Sequence, residues 1–253
     1  MILDEVMNFK HAYAERIVMD VKMTEVKFIL DHVARYLFAT QFVDHNRVLD
    51  VACGTGYGTS IFQKASAFET FGVDLDSAAV SWAIDHYKDN ASIEFFNCDV
   101  AKLKDKIDGV FDLIVSFETI EHVTDPIGFL QGLKRYSKKD TIFCISTPFR
   151  LTEQTAKNGK PLNPHHLVEW PRKEFSKLLK SHFSKIDWYT QGLRIKKGRY
   201  PFSRTLRKAK VRNWYKSHSL EMPESFSDFR VVRFPVEHEE FIEGRIQLAV
   251  CRI

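Results

Sequence analysis

Short apolar runs alternate with helical periodicity along most of this 253-residue chain. Residues 47–52, 68–74, 92–97, 111–116 and 141–147 are brief and apolar, as strands covered on both faces of a parallel sheet are. Helices are expected between them at 56–65, 77–89 and 126–138. Asp125-Pro126 suits a helix start, a capping acid followed by proline at the first helical position. Upstream, Val26, Ile29, Leu30, Val33 and Leu37 recur at helical spacing, which predicts a helix over 24–43 with Thr24 as its N-cap. Pro171 opens another helix over 171–182. Strands follow at 184–190 and 245–252, and the second alternates poorly enough to be central. Strand–helix alternation of this kind predicts an α/β fold with a doubly wound sheet.

Two segments stand outside that alternation. Residues 1–46 precede the first strand, and residues 192–244 separate the last two strands by far more than a hairpin needs. The expected organisation is a helical cap (1–46), a core (47–191 with 245–253) and an insertion (192–244), with cap and insertion capturing substrate. Lys and Arg number 37 against 33 Asp and Glu, so the whole chain is only mildly basic. The cysteines Cys53, Cys98, Cys144 and Cys251 form no C-x-x-C pair and read as reduced thiols. No apolar run approaches the roughly 20 residues that span a bilayer. The first ten residues, MILDEVMNFK, carry acids where a signal peptide is basic, so a cytoplasmic location is expected.

The chemistry concentrates first in residues 47–58, RVLDVACGTGYG. An apolar strand runs into Asp50 and then into Gly54, Gly56 and Gly58. Glycines at a strand-to-helix turn let the backbone approach a ligand, and the helix that follows offers unpaired N–H groups. Asp74, in FGVDLD, is placed for an acid that accepts from ribose hydroxyls. A dinucleotide and S-adenosylmethionine (SAM) could both use this plan. The spacing G-x-G-x-G and the carboxylate of Asp50 favour SAM. A carboxylate repels a pyrophosphate, whereas it attracts the ammonium that SAM carries.

VLDVACGTGYG, GVDLD, FFNCDV (95–100) and FDLIVSFETIEHV (111–123) together resemble the class I SAM-dependent methyltransferases in order and spacing. The resemblance implies a seven-stranded, mostly parallel, Rossmann-like sheet. It places Asp50, Gly54 and Gly56 at the methionine end of the cofactor, Asp74 at the ribose and Asp99 with Val100 at the adenine, with Leu75 also in the cofactor site. Ser116 and Phe117 would lie beneath it.

A second constellation follows the fourth strand. In ETIEH (118–122), one helical turn would put Glu118 on the same side as Glu121 and His122. Two carboxylates and an imidazole suit a divalent cation such as Mg²⁺, Mn²⁺ or Fe²⁺. NPHHLVEW (163–170) adds His165, His166 and Glu169. The pair of segments resembles the metal site of the small-RNA 3′-terminal 2′-O-methyltransferases, which implies Glu118, Glu121, His122 and His166 as ligands. The ubiquinone-pathway O-methyltransferases have a similar E-x-x-E-H. Acid–base use of His122 or His166 without a metal, with Glu118 orienting the cofactor, is the alternative. A purely structural role for the cluster is a third.

The acceptor is addressed by a further resemblance. AERIV…LDHVARYLFATQFV within 11–43, the N-P-x-H-x-x-E-W segment, Gln191-Gly192 and the terminal LAVCR are similar to bacterial sugar and polysaccharide-associated methyltransferases. Ala14, Met19 and Asp31 depart from the glycine, proline and glutamate of that pattern. The resemblance implies O-methylation of a sugar that is nucleotide-linked, lipid-linked or at a glycan end. From Arg194 to Lys216 there are ten Lys/Arg and no Asp/Glu, interleaved with Phe202, Trp214 and Tyr215. Such a run fits a phosphate-bearing acceptor, RNA or an anionic membrane surface, or is a solvated face balanced by the acidic stretch 237–243. The leading expectation is a sugar O-methyltransferase using SAM, with Mg²⁺ or Mn²⁺ as a candidate cofactor. The alternatives are an RNA 2′-O-methyltransferase and a non-catalytic binding protein of the same fold.

Overall fold

A computed structural model describes residues 23–149, 160–161, 163–192, 194–195, 231–233, 242–243 and 245–253. Its strands are β1 (Arg47–Val51), β2 (Glu69–Asp74), β3 (Ile93–Asn97), β4 (Phe111–Phe117), β5 (Ser137–Pro148), β6 (Lys185–Gln191), β7 (Arg194–Ile195), β8 (Val232–Arg233), β9 (Ile242–Glu243) and β10 (Ile246–Arg252). Its helices are α1 (Met23–Ala39), α2 (Tyr57–Lys64), α3 (Ser77–Tyr87), α4 (Pro126–Lys134) and α5 (Arg172–Lys180). The main sheet runs β3-β2-β1-β4-β5-β10-β6-β8. β1 pairs in parallel with β2 and β4, and the parallel pairing continues to β3 and β5. β10 is inserted antiparallel between β5 and β6, in the central position its sequence predicts. The expected seven strands are thus present, and the two-residue β8 adds an eighth at the edge. β7 and β9 pair separately.

Strand side chains alternate between two cores. Leu49, Val51, Phe111, Ile114 and Phe143 join Leu130 of α4 and Phe175 of α5 on one face. Val48, Leu113, Val115, Cys144 and Val250 join Val33, Tyr36 and Phe38 of α1 and Phe62 of α2 on the other. Cys144 and Cys251 therefore point to opposite faces, and all four cysteines are free. No helix among the described residues is long and apolar enough to cross a membrane.

Several boundaries differ from expectation, two of them informatively. Thr24 lies inside α1, which begins one residue earlier. α4 stops at Lys134 because Arg135 and Tyr136 turn the chain and Ser137 already pairs with Phe111 in β5. Its start is as predicted, with the Asp125 carboxylate accepting from Gly128 N at 2.9 Å.

α1 is fastened to the sheet by polar side chains of its Asp31–Tyr36 stretch. Tyr36 Oη donates to Asp50 at 3.2 Å, Arg35 donates to Gln191 at the end of β6, and Asp31 pairs with Arg245. On the same sheet, Gly56 caps α2 at φ 78°, and a Cβ there would lie 2.5 Å from the Phe95 ring. Gly56→Ala is expected to cost about 2 kcal/mol, from left-handed strain plus displacement of that ring. Denaturant unfolding measures it, and a wild-type midpoint would show that Phe95 moves freely.

Candidate active site

β1 ends in a backbone that is left-handed at Ala52 (φ 63°), Gly54 (φ 55°) and Gly56 (φ 78°). This winding turns the loop under the carboxyl edge of the sheet. Asp74, at the end of β2, secures it: Oδ2 accepts from Gly54 N and Oδ1 from Asp76 N, each at 2.8 Å. Asn97 donates from its side-chain amide to the carbonyls of Asp74 and Leu75, which ties β3 to the same turn.

Above these strand ends lies a cavity of about 570 Å³, within the ~300–1,000 Å³ of small-ligand sites. Asp74, Leu75, Asp99 and Val100 are on its wall. Leu75 is 73% exposed, an apolar side chain open to whatever occupies the cavity. Asp99 caps the turn after it by accepting from Ala101 N, and its carboxylate is exposed. Val100 is held by its carbonyl, which accepts from Tyr136 Oη at 2.6 Å.

Asp50, Gly54, Gly56 and Ser116 are not on that wall. Asp50 is fully buried behind the loop, accepting from Thr59 at 2.8 Å as well as from Tyr36. Burial raises its pKa to about 7 despite those two hydrogen bonds. Ser116 is buried in β4 with no hydrogen-bond partner for its Oγ among the described residues. Ala52, Thr119, Thr124 and Phe129 also line the cavity. Only the direction α4 faces reveals Phe129, and nothing local in the sequence marks it.

The histidine cluster adjoins this cavity. The turn Ile120–His122 leaves β4 through Glu118, itself at φ 53°. The structure brings one ligand atom each of Glu121, His122 and His166 within 4.8 Å of the others. Glu118 is not in the group. Its carboxylate accepts from Ser146 Oγ at 2.7 Å, which draws it toward β5. Glu121 is fully buried, with Oε2 accepting from Thr147 at 2.9 Å and Oε1 without a hydrogen bond among the described residues, 4.0 Å from His122 Nε2. Burial, with the charge of Glu118, pushes its pKa well above the usual carboxylate range.

The two imidazoles lie edge to face, 4.9 Å between centroids. His122 Nδ1 is 2.8 Å from the carbonyl oxygen of His165. Nδ1–H must therefore donate, which leaves Nε2 without a hydrogen bond among the described residues, 4.0 Å from the buried Glu121 Oε1, on a side chain that lines the cavity. His166 is held between Glu169 Oε1, 2.6 Å from Nδ1, and Asn163 Nδ2, 2.8 Å from Nε2. His165 contributes its backbone, and its ring is exposed.

A family model described as a methyltransferase domain matches residues 22–189. The chain belongs to the methyltransferase-domain family. Within that family it is 31% identical over 134 residues to a "Probable S-adenosylmethionine-dependent methyltransferase" of Mycolicibacterium smegmatis, covering 53% of this chain and 50% of the relative. It is 28% identical over 102 residues to the ubiquinone biosynthesis O-methyltransferase of Methylococcus capsulatus, 40% of this chain and 43% of that one. The chain spans about half the length of the curated relatives it matches. The crystal structure of a SAM-dependent methyltransferase from Archaeoglobus fulgidus superimposes with a TM-score of 0.55 at 14% identity, covering 90% of this chain and 94% of that one. That likeness shows the fold, the doubly wound sheet of class I methyltransferases.

Proposed function

We propose that this chain transfers a methyl group from SAM to a hydroxyl oxygen, with a sugar as the acceptor. The observation that carries the reading is His122 on the wall of the cavity, its Nε2 left free by the bond to the His165 carbonyl. SAM, when bound, supplies an electrophilic methyl group on a sulfonium. The cavity fits it. Asp74 keeps lone pairs for a ribose diol, Leu75 offers an apolar surface to an adenine ring, and Asp99 presents an acceptor for an exocyclic amine. Asp50 acts from behind the loop, as a buried carboxylate that favours the methionine ammonium, with the backbone of Gly54 and Gly56 between them. Ser116 adds a buried hydroxyl beneath the methionine end.

His122 Nε2 is the proton acceptor for the attacking hydroxyl. His166 supports the same region, its tautomer set by Glu169 and Asn163. The donor set also fits a divalent ion such as Mg²⁺ or Mn²⁺. Glu121 Oε1 is buried without a hydrogen bond among the described residues, and two imidazoles stand beside it. With the ion bound, Glu121, His122 and His166 would hold it, His122 Nε2 serving as a ligand instead of as the proton acceptor and Asn163 giving up His166 Nε2, with Glu169 steadying His166 from outside. Such an ion would lower the pKa of a hydroxyl bound to it. Glu118, tied to Ser146, is assigned to orienting the cofactor.

The sugar assignment rests on the similarity to polysaccharide-associated methyltransferases. Cap and insertion are assigned to acceptor capture. Residues 1–22 of the cap, and all of the basic run except Arg194 and Ile195, lie outside the described residues.

Calorimetry of S-adenosylhomocysteine (SAH) binding, followed by titration of Mg²⁺ and Mn²⁺, tests cofactor and metal in turn. His122→Ala is expected to lower turnover on sugar acceptors about 10²–10⁴-fold, the usual worth of a general base, while SAH affinity stays near wild type. A fall in SAH affinity with unchanged turnover would assign His122 to the cofactor instead. A saturable metal heat that disappears in His122→Ala and Glu121→Gln supports the ion, and no heat removes it from the reading.

A further inference from the structure

We infer that Arg35 is the anion-reading residue of the acceptor site, so that the acceptor proposed above carries a carboxylate or a phosphate. This rests on the methyltransferase reading and names its substrate class more narrowly.

Arg35 is 1% exposed, and its guanidinium makes one hydrogen bond among the described residues, from Nη1 to Gln191 Oε1 at 2.5 Å. Its Nε is buried without a hydrogen-bond partner. A guanidinium keeps its charge at every pH a protein meets, and a buried one whose donors are not all hydrogen-bonded is costly. Two carboxylates nearby do not pair with it. Asp31, one turn earlier on α1, accepts through both oxygens from Arg245 Nη2, at 3.0 and 2.8 Å. Glu121 is near enough for the charge of Arg35 to act on it, yet no hydrogen bond joins them, and its Oε2 is taken by Thr147. Gln191, the one partner found, is neutral.

The position of this cation points to the acceptor. Gln191 ends β6 and lies in register with Ile246, which in turn faces Pro148 at the end of β5. Thr147, which binds Glu121, is the residue before Pro148. Arg35 therefore sits near the carboxyl ends of β5 and β6, the edge at which open α/β sheets bind ligands, behind the wall of the cavity that His122 lines. The planar fork of an arginine matches carboxylate and phosphate oxygens in pairs. Asp31, Arg35, Gln191 and Arg245 thus build one polar assembly under α1 whose positive charge is not fully offset from within.

The test uses the full chain loaded with SAH, with glucose 1-phosphate and glucuronate as probes, glucose as the neutral control, and calorimetry at constant ionic strength. At least one anionic sugar is expected to bind saturably and at least about 10-fold more tightly than glucose. The tighter of the two identifies the anion. Arg35→Gln should weaken that binding on the order of 10–100-fold, the worth of hydrogen bonds to a charged group, with SAH affinity retained. Gln191→Glu provides a second variant that keeps the buried arginine. It sets a carboxylate against the guanidinium from within the chain, and should abolish anion binding while the cooperative melt persists. Equal anion binding by wild type and Gln191→Glu would place the anion away from Arg35 and overturn the inference. So would SAH-loaded protein that binds neither anionic sugar better than glucose. Failure of wild type to bind SAH strikes the methyltransferase reading itself.

Discussion

Asp74→Ala is expected to weaken SAH binding by about 100-fold or more while the global fold survives. The side chain performs two tasks. It holds the glycine loop by accepting from Gly54 N and Asp76 N, and its remaining lone pairs are assigned to the ribose diol. Hydrogen bonds to a charged group are worth ~1.5–3 kcal/mol each, and removing the carboxylate leaves the Gly54 N–H without its partner. Since 1.4 kcal/mol is tenfold, loss of the equivalent of two such bonds accounts for the estimate. Asp74→Asn keeps one acceptor oxygen and should fall between wild type and alanine. Calorimetry gives the affinities, and thermal melts separate a local from a global effect. Unchanged affinity in Asp74→Ala would refute the ribose assignment.

The second large effect concerns pH. Asp50 is buried, and desolvation holds its pKa near 7, with Thr59 and Tyr36 pulling the other way and the charge of Asp74 adding to the rise. In the unfolded chain the same carboxyl ionises near the ordinary value of ~3.9. Between those two values the folded protein retains a proton that the unfolded chain has released. Asp50 therefore favours folding fully below about pH 4, and that contribution is lost as pH rises to about 7, amounting to roughly 4 kcal/mol. Asp50→Asn removes the ionisation. Its amide can still meet Tyr36 and Thr59, whose hydroxyls rotate to accept. Without cofactor, the variant should gain on wild type as pH rises from 4 to 7 and stay ahead above it. Its SAH affinity should fall, because the buried carboxylate that favours the ammonium is gone. Denaturant unfolding of both proteins from pH 5 to 8 reads the difference directly, and parallel stability curves would show that Asp50 is ionised throughout in the folded state.

These two residues mark how far the sequence could be read. Period and punctuation determine the local choices. Short apolar runs suit strands of a covered sheet, Asp125-Pro126 can open a helix, and glycines after β1 permit the left-handed turns found there. The order of these elements then implies a doubly wound sheet, because a parallel pair needs a helical crossover. The acids at strand ends, Asp50, Asp74 and Asp99, are legible for the same reason, since ligands of such sheets bind at that edge.

What the sequence alone left open depends on direction and on distant neighbours. Asp50 and Asp74 are both acids that end strands, yet one is sealed behind Tyr36 and Thr59 and the other opens to the cavity. Spacing groups Glu118 with Glu121 and His122, but an irregular turn and the hydroxyl of Ser146, 28 residues away, pull it out. The backbone of His165, not its ring, settles which nitrogen of His122 is free. Arg35 and Gln191 are 156 positions apart, and only the packing of α1 over β6 joins them. Local pattern sets what each segment can become, because backbone preference and apolar period act within a few residues. Which polar atoms meet, and which remain charged or free, is decided by packing, because desolvation and hydrogen bonding depend on neighbours that the chain brings together only when it folds.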